Sequence, residues 1–217
     1  MKLEKKPQTD EEKIVTTITE LKEQFREKQK NLVYLLVGSL SVVLILSVVY
    51  IYTTSSKSKA AEFEAEGYKY FYGARGNDAQ LMYLRALEAF KNAYNTRKSA
   101  YALLYIANCY VELGKFDDAI TTLNDLISNF SDPINLSFAY HKLSWIYMKK
   151  EDYQKAISTL ENLKKIKGAA LQDLAYFQSA IIWEMAGKTE QAQAEYKELI
   201  VKFPNSPLTS QAKAKIK

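Results

Sequence analysis

Histidine and cysteine are almost missing from this chain of 217 residues, which holds one of each, His141 and Cys109. A single cysteine excludes an intrachain disulfide and any multi-cysteine metal site, and one histidine is too few for a histidine-based metal cluster. The two are singletons in different parts of the sequence, and each reads as a packed or groove residue. Glycine and proline are scarce as well, at seven and four, which is low for an all-β or disordered chain. The one glycine-rich stretch, "GARG" at 73–76, lacks the lysine and the following helix register of a phosphate loop and reads as a turn. Nothing here points to catalysis, a cofactor or a metal.

Charge is missing from one place only. Residues 32–52, "LVYLLVGSLSVVLILSVVYIY", carry no ionisable acid or base other than tyrosine. At about 1.5 Å per residue this run reaches roughly 30 Å, the hydrocarbon thickness of a bilayer. Tyr34, Tyr50 and Tyr52 stand toward its ends, where amphipathic rings favour the headgroup layer. The run exceeds a signal-peptide core and the segment before it is long, so it reads as one membrane anchor. Lys22, Arg26, Lys28 and Lys30 precede it, against Lys57 and Lys59 after it. That bias predicts a cytoplasmic N-terminus and a C-terminal part outside, in the periplasm of a bacterium.

The flanking segments are polar. Residues 1–10 read as disordered. From Asp10, an expected N-cap, Ile14, Ile18, Leu21 and Phe25 follow at helical spacing, so 1–31 forms a cytoplasmic segment with an amphipathic helix. Its apolar stripe can pair with a second copy, lie on the inner leaflet or dock on a partner, which leaves a homo-oligomer open. "TTSSKSKA" at 53–60 reads as a linker, and residues 61–217 as one repeat domain.

That domain contains only helical patterns. "YALLYIANCYVELGKFDDAITTLNDLI" from Tyr101, "FAYHKLSWIYMKKEDYQKAISTLENLK" from Phe138 and "LAYFQSAIIWEMAGKTEQAQAEYKELI" from Leu174 align as helix, tight turn, helix. The alanines opening the second helices, Ala119, Ala156 and Ala192, lie 37 and 36 residues apart. These periods slightly exceed the tetratricopeptide length of 34 residues. The last unit resembles a tetratricopeptide repeat through Ala180, Trp183, Gly187, Ala192, Tyr196 and Pro204; the first through Ala107, Tyr110, Gly114, Phe116 and Ala119. The middle one resembles it through Ser144, Tyr147, Tyr153 and Ala156, but Glu151 stands where the turn glycine belongs and should carry modest strain. A weaker unit precedes them, with a first helix near 61–72 and Ala86, Phe90 and Ala93 in its second. Leu126, Leu163 and Leu199 occupy positions where the family usually has alanine, and their bulk should widen the stack or alter its curvature. The expected fold is all-α: one transmembrane helix, then a tetratricopeptide-like solenoid of about four hairpins.

This layout is similar to the YfgM-like family of bacterial inner-membrane proteins, especially over "KSAYALLYIANCYVELGKFDDAI" and "DPINLSFAYHKLSWIYMKKEDYQKAISTLENL". The resemblance implies an ancillary subunit beside the Sec translocon, working with a membrane-anchored periplasmic chaperone on emerging polypeptides.

Residues 138–148 are apolar on two faces. Tyr140, Leu143, Ile146 and Tyr147 form one stripe; Phe138, His141, Trp145 and Met148 form another. A second apolar face is either buried or lent to a partner. By the repeat alignment, the second stripe faces the inside of the superhelix. Tyr101, Leu104, Asn108 and Val111 stand beside it from the first unit, and Leu174, Phe177, Ile181 and Met185 from the last. These residues are expected to line a groove for apolar segments of protein partners or clients, with Trp145 anchored on one side only. The alternative is a groove filled by the terminal helix (about 206–216), by the first hairpin or by a second protomer.

Beyond residue 52 the chain holds 22 basic and 18 acidic residues, interspersed, which suits a solvated face and no nucleic acid. Lys213, Lys215 and Lys217 read as a frayed basic tail. The leading expectation is a non-enzymatic, membrane-anchored interaction protein assisting translocation or periplasmic folding. A scaffold for envelope assembly or cell division is an alternative, as is a regulatory subunit signalling through the N-terminal helix.

Overall fold

The computed structural model describes residues 10–216. Residues 1–9 and Lys217 lie outside the described residues, as do the side chains of residues 10–13, the expected cap Asp10 among them. Among the described residues there are nine α-helices and one 3-10 turn. They are α1 (Asp10–Gly73), α2 (Ala79–Thr96), α3 (Ala100–Glu112), α4 (Phe116–Asn129), α5 (Pro133–Lys149), α6 (Tyr153–Lys165), α7 (Gln172–Met185), α8 (Thr189–Lys202) and α9 (Thr209–Lys215). The chain divides into two units, residues 1–55 and 56–217.

In the first unit, α1 exposes every large apolar side chain from Ile14 to Tyr52. It is the one helix among the described residues long and apolar enough to cross a membrane. The three serines of the run 32–52 are satisfied within the helix: Ser39 donates to the Leu36 carbonyl (2.9 Å), Ser41 to Val37 (2.8 Å) and Ser47 to Val43 (2.8 Å). Such internal pairing is what a polar group in hydrocarbon requires.

Residues 53–60, expected as a linker, are helical instead. The stretch holds no glycine or proline, and serine and threonine disfavour a helix by only a few tenths of a kcal/mol. Ala60 is already buried in the second unit, where the tertiary packing begins.

The second unit stacks helical hairpins. In the first, the 56–73 part of α1 meets α2 at Gly67, where an added Cβ would lie 2.7 Å from the Phe90 ring. Gly67 thus occupies the small position that Ala107, Ser144 and Ala180 fill in α3, α5 and α7, all essentially buried. Ala119, Ala156 and Ala192 are buried on the facing helices. Small residues there let the backbones approach, and aromatic and leucine side chains then fill the space between hairpins.

Helix ends follow local chemistry. Ser99 accepts from the Ala102 amide (3.0 Å), Asp132 from Asn135 (2.9 Å) and Asp152 from Lys155 (3.1 Å), each closing an N-terminus. Pro133 follows its cap at the first helical position. The three turns within the aligned hairpins are the same. The Lys115 amide donates to Tyr110, Asp152 to Tyr147 and Lys188 to Trp183, at 2.8 to 2.9 Å. This reach-back bond requires a left-handed residue, supplied by Gly114 (φ 71), Glu151 (φ 59) and Gly187 (φ 73).

Leu126, Leu163 and Leu199 are all fully buried at the exits of the second helices. Between α6 and α8, Lys164 is only 6% exposed and its ammonium sits 2.7 Å from both Glu161 and Glu195. It also lies over the Tyr176 ring, 4.4 Å from its centroid. Every charge on this buried cation has a partner, so it fastens two hairpins together. The terminal α9 covers the end of the stack, with Ala212 packed beside Tyr196 and Leu199. The expected fraying is absent at Lys213 and Lys215, which lie within α9. Lys215 reaches Glu184 at 3.0 Å, and its carbonyl accepts from Gln193 at 2.8 Å.

Three substitutions test this architecture by urea unfolding. Glu151→Gly should raise stability by about 1 kcal/mol, because it relieves a left-handed side chain without touching the hydrogen bonds; Gly114→Ala should lower it by a similar amount. Gly67→Ala should cost about 1–3 kcal/mol through overpacking against Phe90, reversing the usual helix gain of alanine over glycine.

Candidate functional site

The helices α3, α5 and α7 converge on one opening of about 480 Å³. From α3 it is lined by Tyr101, Leu104, Tyr105 and Asn108; from α5 by Phe138, His141 and Lys142; from the start of α7 and the residue before it by Leu174 and Leu171. On α3 and α5 these positions are i, i+3 and i+4, extended on α3 to i+7, the face that a helix turns to one neighbour.

Tyr101 and Phe138 are 46% and 45% exposed, an unusual state for large apolar rings inside a concave wall. Leu104 is buried behind them, and Asn108, His141, Lys142, Leu171 and Leu174 are half-buried. The first hairpin braces one end of the wall. Tyr68 packs edge-on against Tyr101 and Tyr105 (ring centroids 6.0 and 4.8 Å), and the Tyr72 and Tyr105 hydroxyls are hydrogen-bonded at 2.8 Å. Burial raises the pKa of Tyr68 and of Tyr105 well above the ordinary phenol range. Their hydroxyls are therefore neutral donors or acceptors at any physiological pH.

Burial, and secondarily the adjacent Lys142, lowers the pKa of His141 below its ordinary value, so its imidazole is neutral at pH 7. Lys142 is also pushed down by burial, against an opposing influence of Glu112. Cys109 is fully buried in the core and its thiol is pushed up to about 12, chiefly by desolvation. That leaves no thiolate for chemistry near neutrality.

The structure brings together Tyr101, Leu104, Asn108, Phe138, His141 and Leu174 from the expected stripes. It does not bring the remainder. Trp145 is half-buried, with its ring edge-on to Phe116 at 6.4 Å and covered by the Lys142 and Lys149 ammonium groups at 5.8 and 5.4 Å. Its free side is thus occupied by the chain itself. Val111 packs on the core formed by α2 to α5, and Met148 on that of α6 and α7. Phe177 meets Tyr196 with centroids 5.7 Å apart; Ile181 is half-buried and Met185 is 51% exposed, both away from the opening.

Tyr105, Lys142 and Leu171 line the wall but were not expected there. The first two complete i, i+3, i+4 patterns already begun by Tyr101 with Leu104 and by Phe138 with His141, which is the signal that identifies them. Leu171 precedes its helix, so no helical period announces it. The terminal helix, one expected occupant, lies against α8 instead.

Trp145 thus lies outside the lining of this opening, beside Phe116. Trp145→Ala should lower stability by about 2 kcal/mol, the loss of one half-buried ring and its aromatic contact, and should leave peptide binding at the opening within twofold of the parent. Ile146→Ala, at a fully buried neighbour, should cost more, about 2–5 kcal/mol. Denaturant titrations and peptide anisotropy on the same samples check both.

Comparison with known proteins accords with this architecture. The sequence pattern of the tetratricopeptide repeat-like domain matches residues 28–216. The chain belongs to that family. It is similar to the heat shock protein STI1 of Saccharomyces cerevisiae, with 31% identity over 167 residues. That alignment takes in 70% of this chain but only 27% of STI1, so the chain spans about a quarter of that relative's length. Among solved structures, the MamA RS-1 ArsTM double mutant superposes with a TM-score of 0.52 at 14% identity, covering 72% of this chain and 90% of that one. The APC/C hetero-tetramer Cut9–Hcn1 gives 0.51 at 16%, covering 79% of this chain and 33% of that one. At these identities the likeness concerns the fold alone.

Proposed function

We propose that this tetratricopeptide repeat-like protein is a membrane-anchored holder of apolar polypeptide segments. It would work on the outer side of a bacterial inner membrane, as an accessory to protein translocation or to folding there. The observation that carries the reading is the opening between α3, α5 and α7, where two half-exposed aromatic rings face a concave, largely apolar space. Rings set on a rigid helical wall lose little conformational freedom on binding and supply most of the affinity at such surfaces.

The anchor is supported by the uncharged run 32–52 and its internally satisfied serines. The orientation is supported by the excess of Lys and Arg before that run. The resemblance to YfgM-like proteins supplies the translocon and its chaperone as the setting. Similarity to a heat shock protein agrees with the handling of polypeptides.

Two measurements test the reading. Protease added to intact spheroplasts should digest the C-terminal unit and spare residues before the span; the reverse pattern would invert the orientation. In the full-length detergent-solubilised protein, Phe138→Ala or Tyr101→Ala should weaken binding of an apolar peptide by about 1–2 kcal/mol. Neither should shift the melting temperature by more than a few degrees, since both rings are nearly half exposed. Unchanged peptide affinity in both variants removes the opening as the binding site.

A further inference from the structure

The apolar stripe near the start of α1 lies bare. Ile14, Ile18, Leu21 and Phe25 are 59%, 50%, 56% and 71% exposed. Their spacings of four, three and four continue through Lys28 to Leu32 and Leu35, where the uncharged run begins. All of them stand on one unbroken helix. At about 1.5 Å per residue, the stripe from Ile14 to Leu35 is roughly 30 Å long.

The rest of this helical surface is sorted by the same seven-residue period. Written as heptads, the stripe has Ile18 and Phe25 at a, and Ile14 and Leu21 at d. The flanking e and g positions hold Val15, Thr17, Lys22, Gln24, Gln29 and Asn31, of which only Lys22 is charged. Glu20, Glu23, Arg26, Glu27 and Lys30 all fall at b, c or f, away from the stripe. Three carboxylates against two cations on that polar face argue against a helix lying on an anionic leaflet, which carries Lys and Arg there.

Pairing with an identical helix suits the pattern at each point. Isoleucine at a with leucine at d favours two strands. In a parallel pair each g position meets the following e position of the other helix. Thr17 then meets the other copy's Lys22, and Gln24 the other copy's Gln29, so no like charges are opposed. Lys28, at d, is long enough to carry its ammonium past the seam while its stem remains within it. Two copies anchored in one membrane in the same sense are necessarily parallel, and confinement together raises their effective concentration.

We propose that α1 pairs with α1 of a second copy of this chain, as a parallel two-stranded coiled coil over residues 14–35. The parallel sense rests on the anchor reading above. Each pair carries two openings for polypeptide.

The test is oxidative crosslinking of the full-length protein in membranes of cells that express it. Cys109, the one cysteine, is fully buried with its thiol pushed up to about 12, so the parent protein is the blank. Ile14→Cys and Leu21→Cys each place a thiol at d, and Glu23→Cys places one at f. Both d variants should give a disulfide-linked dimer in about tenfold higher yield than Glu23→Cys, since a disulfide needs Cα atoms within about 7 Å. Adding Leu21→Asp to Ile14→Cys should lower its yield to that of Glu23→Cys. Leu21 is exposed, so this change leaves the melting of the second unit as it was.

Equal yields at Leu21→Cys and Glu23→Cys overturn the proposal. So does crosslinking at only one of the two d positions, the mark of an antiparallel pair. A product whose mass is not twice that of the chain also overturns it, in favour of a different protein on the stripe. Alkaline carbonate extraction tests the anchor separately. Release of the protein with both d crosslinks intact rejects the anchor and leaves the parallel pair standing.

Discussion

Close approach of two helices is possible only where at least one presents almost no side chain, and every hairpin in this protein depends on such a point. Gly67, Ala107, Ser144 and Ala180 supply it on the first helices, and Ala119, Ala156 and Ala192 on the second. The tolerance is small: at Gly67 even a methyl group would collide with Phe90. Once the backbones are close, the turn between them must reverse within very few residues. That demand places Gly114, Glu151 and Gly187 in the left-handed region. The middle hairpin meets it with a glutamate, so the pressure for a tight reversal outweighs the local strain, about 1–2 kcal/mol for a residue with a Cβ.

Large residues then connect one hairpin with the next. Leu123 and Leu126 join the core formed by α2 to α5; Leu160 and Leu163 that of α6 and α7; Tyr196 and Leu199 that of α7 to α9. Each core is shared between neighbours, as expected of a solenoid whose stability is a sum over adjacent repeats. The Lys164 network and the Lys215–Glu184 pair join the later repeats by charge as well, and α9 ends the stack by packing Ala212 on α8. The opening is a by-product of this arrangement. It lies where the first helices of three consecutive hairpins come together.

Within that opening, the distribution of polar groups is uneven in a way the packing does not require. Three tyrosines and two phenylalanines near its α3 side form a connected aromatic set, from Phe71 and Tyr68 through Phe90 to Tyr101 and Tyr105. That set fixes Tyr101 while leaving one side of it free. His141 is held neutral by burial beside Lys142, which is the one Lys, Arg, Asp or Glu among the lining residues.

Much of this was legible from residue order alone. The absence of charge over 32–52 identifies the apolar run, and the 37- and 36-residue periods identify the repeats. The small and glycine positions locate the helix crossings and turns, including the anomaly at Glu151. These are local properties, set by helical geometry and by which side chains permit it. What the sequence could not decide is which part of each inward stripe stays open. Periodicity says that Phe138, His141, Trp145 and Met148 share a face of one helix. It does not say that Phe116, from the preceding hairpin, covers Trp145 while Phe138 remains uncovered. Nor does it say that residues 53–60 continue a helix because Ala60 already packs, or that Leu171 joins the wall from outside its helix. Those outcomes depend on how far the side chains of one helix reach across the next, a property of the assembled stack.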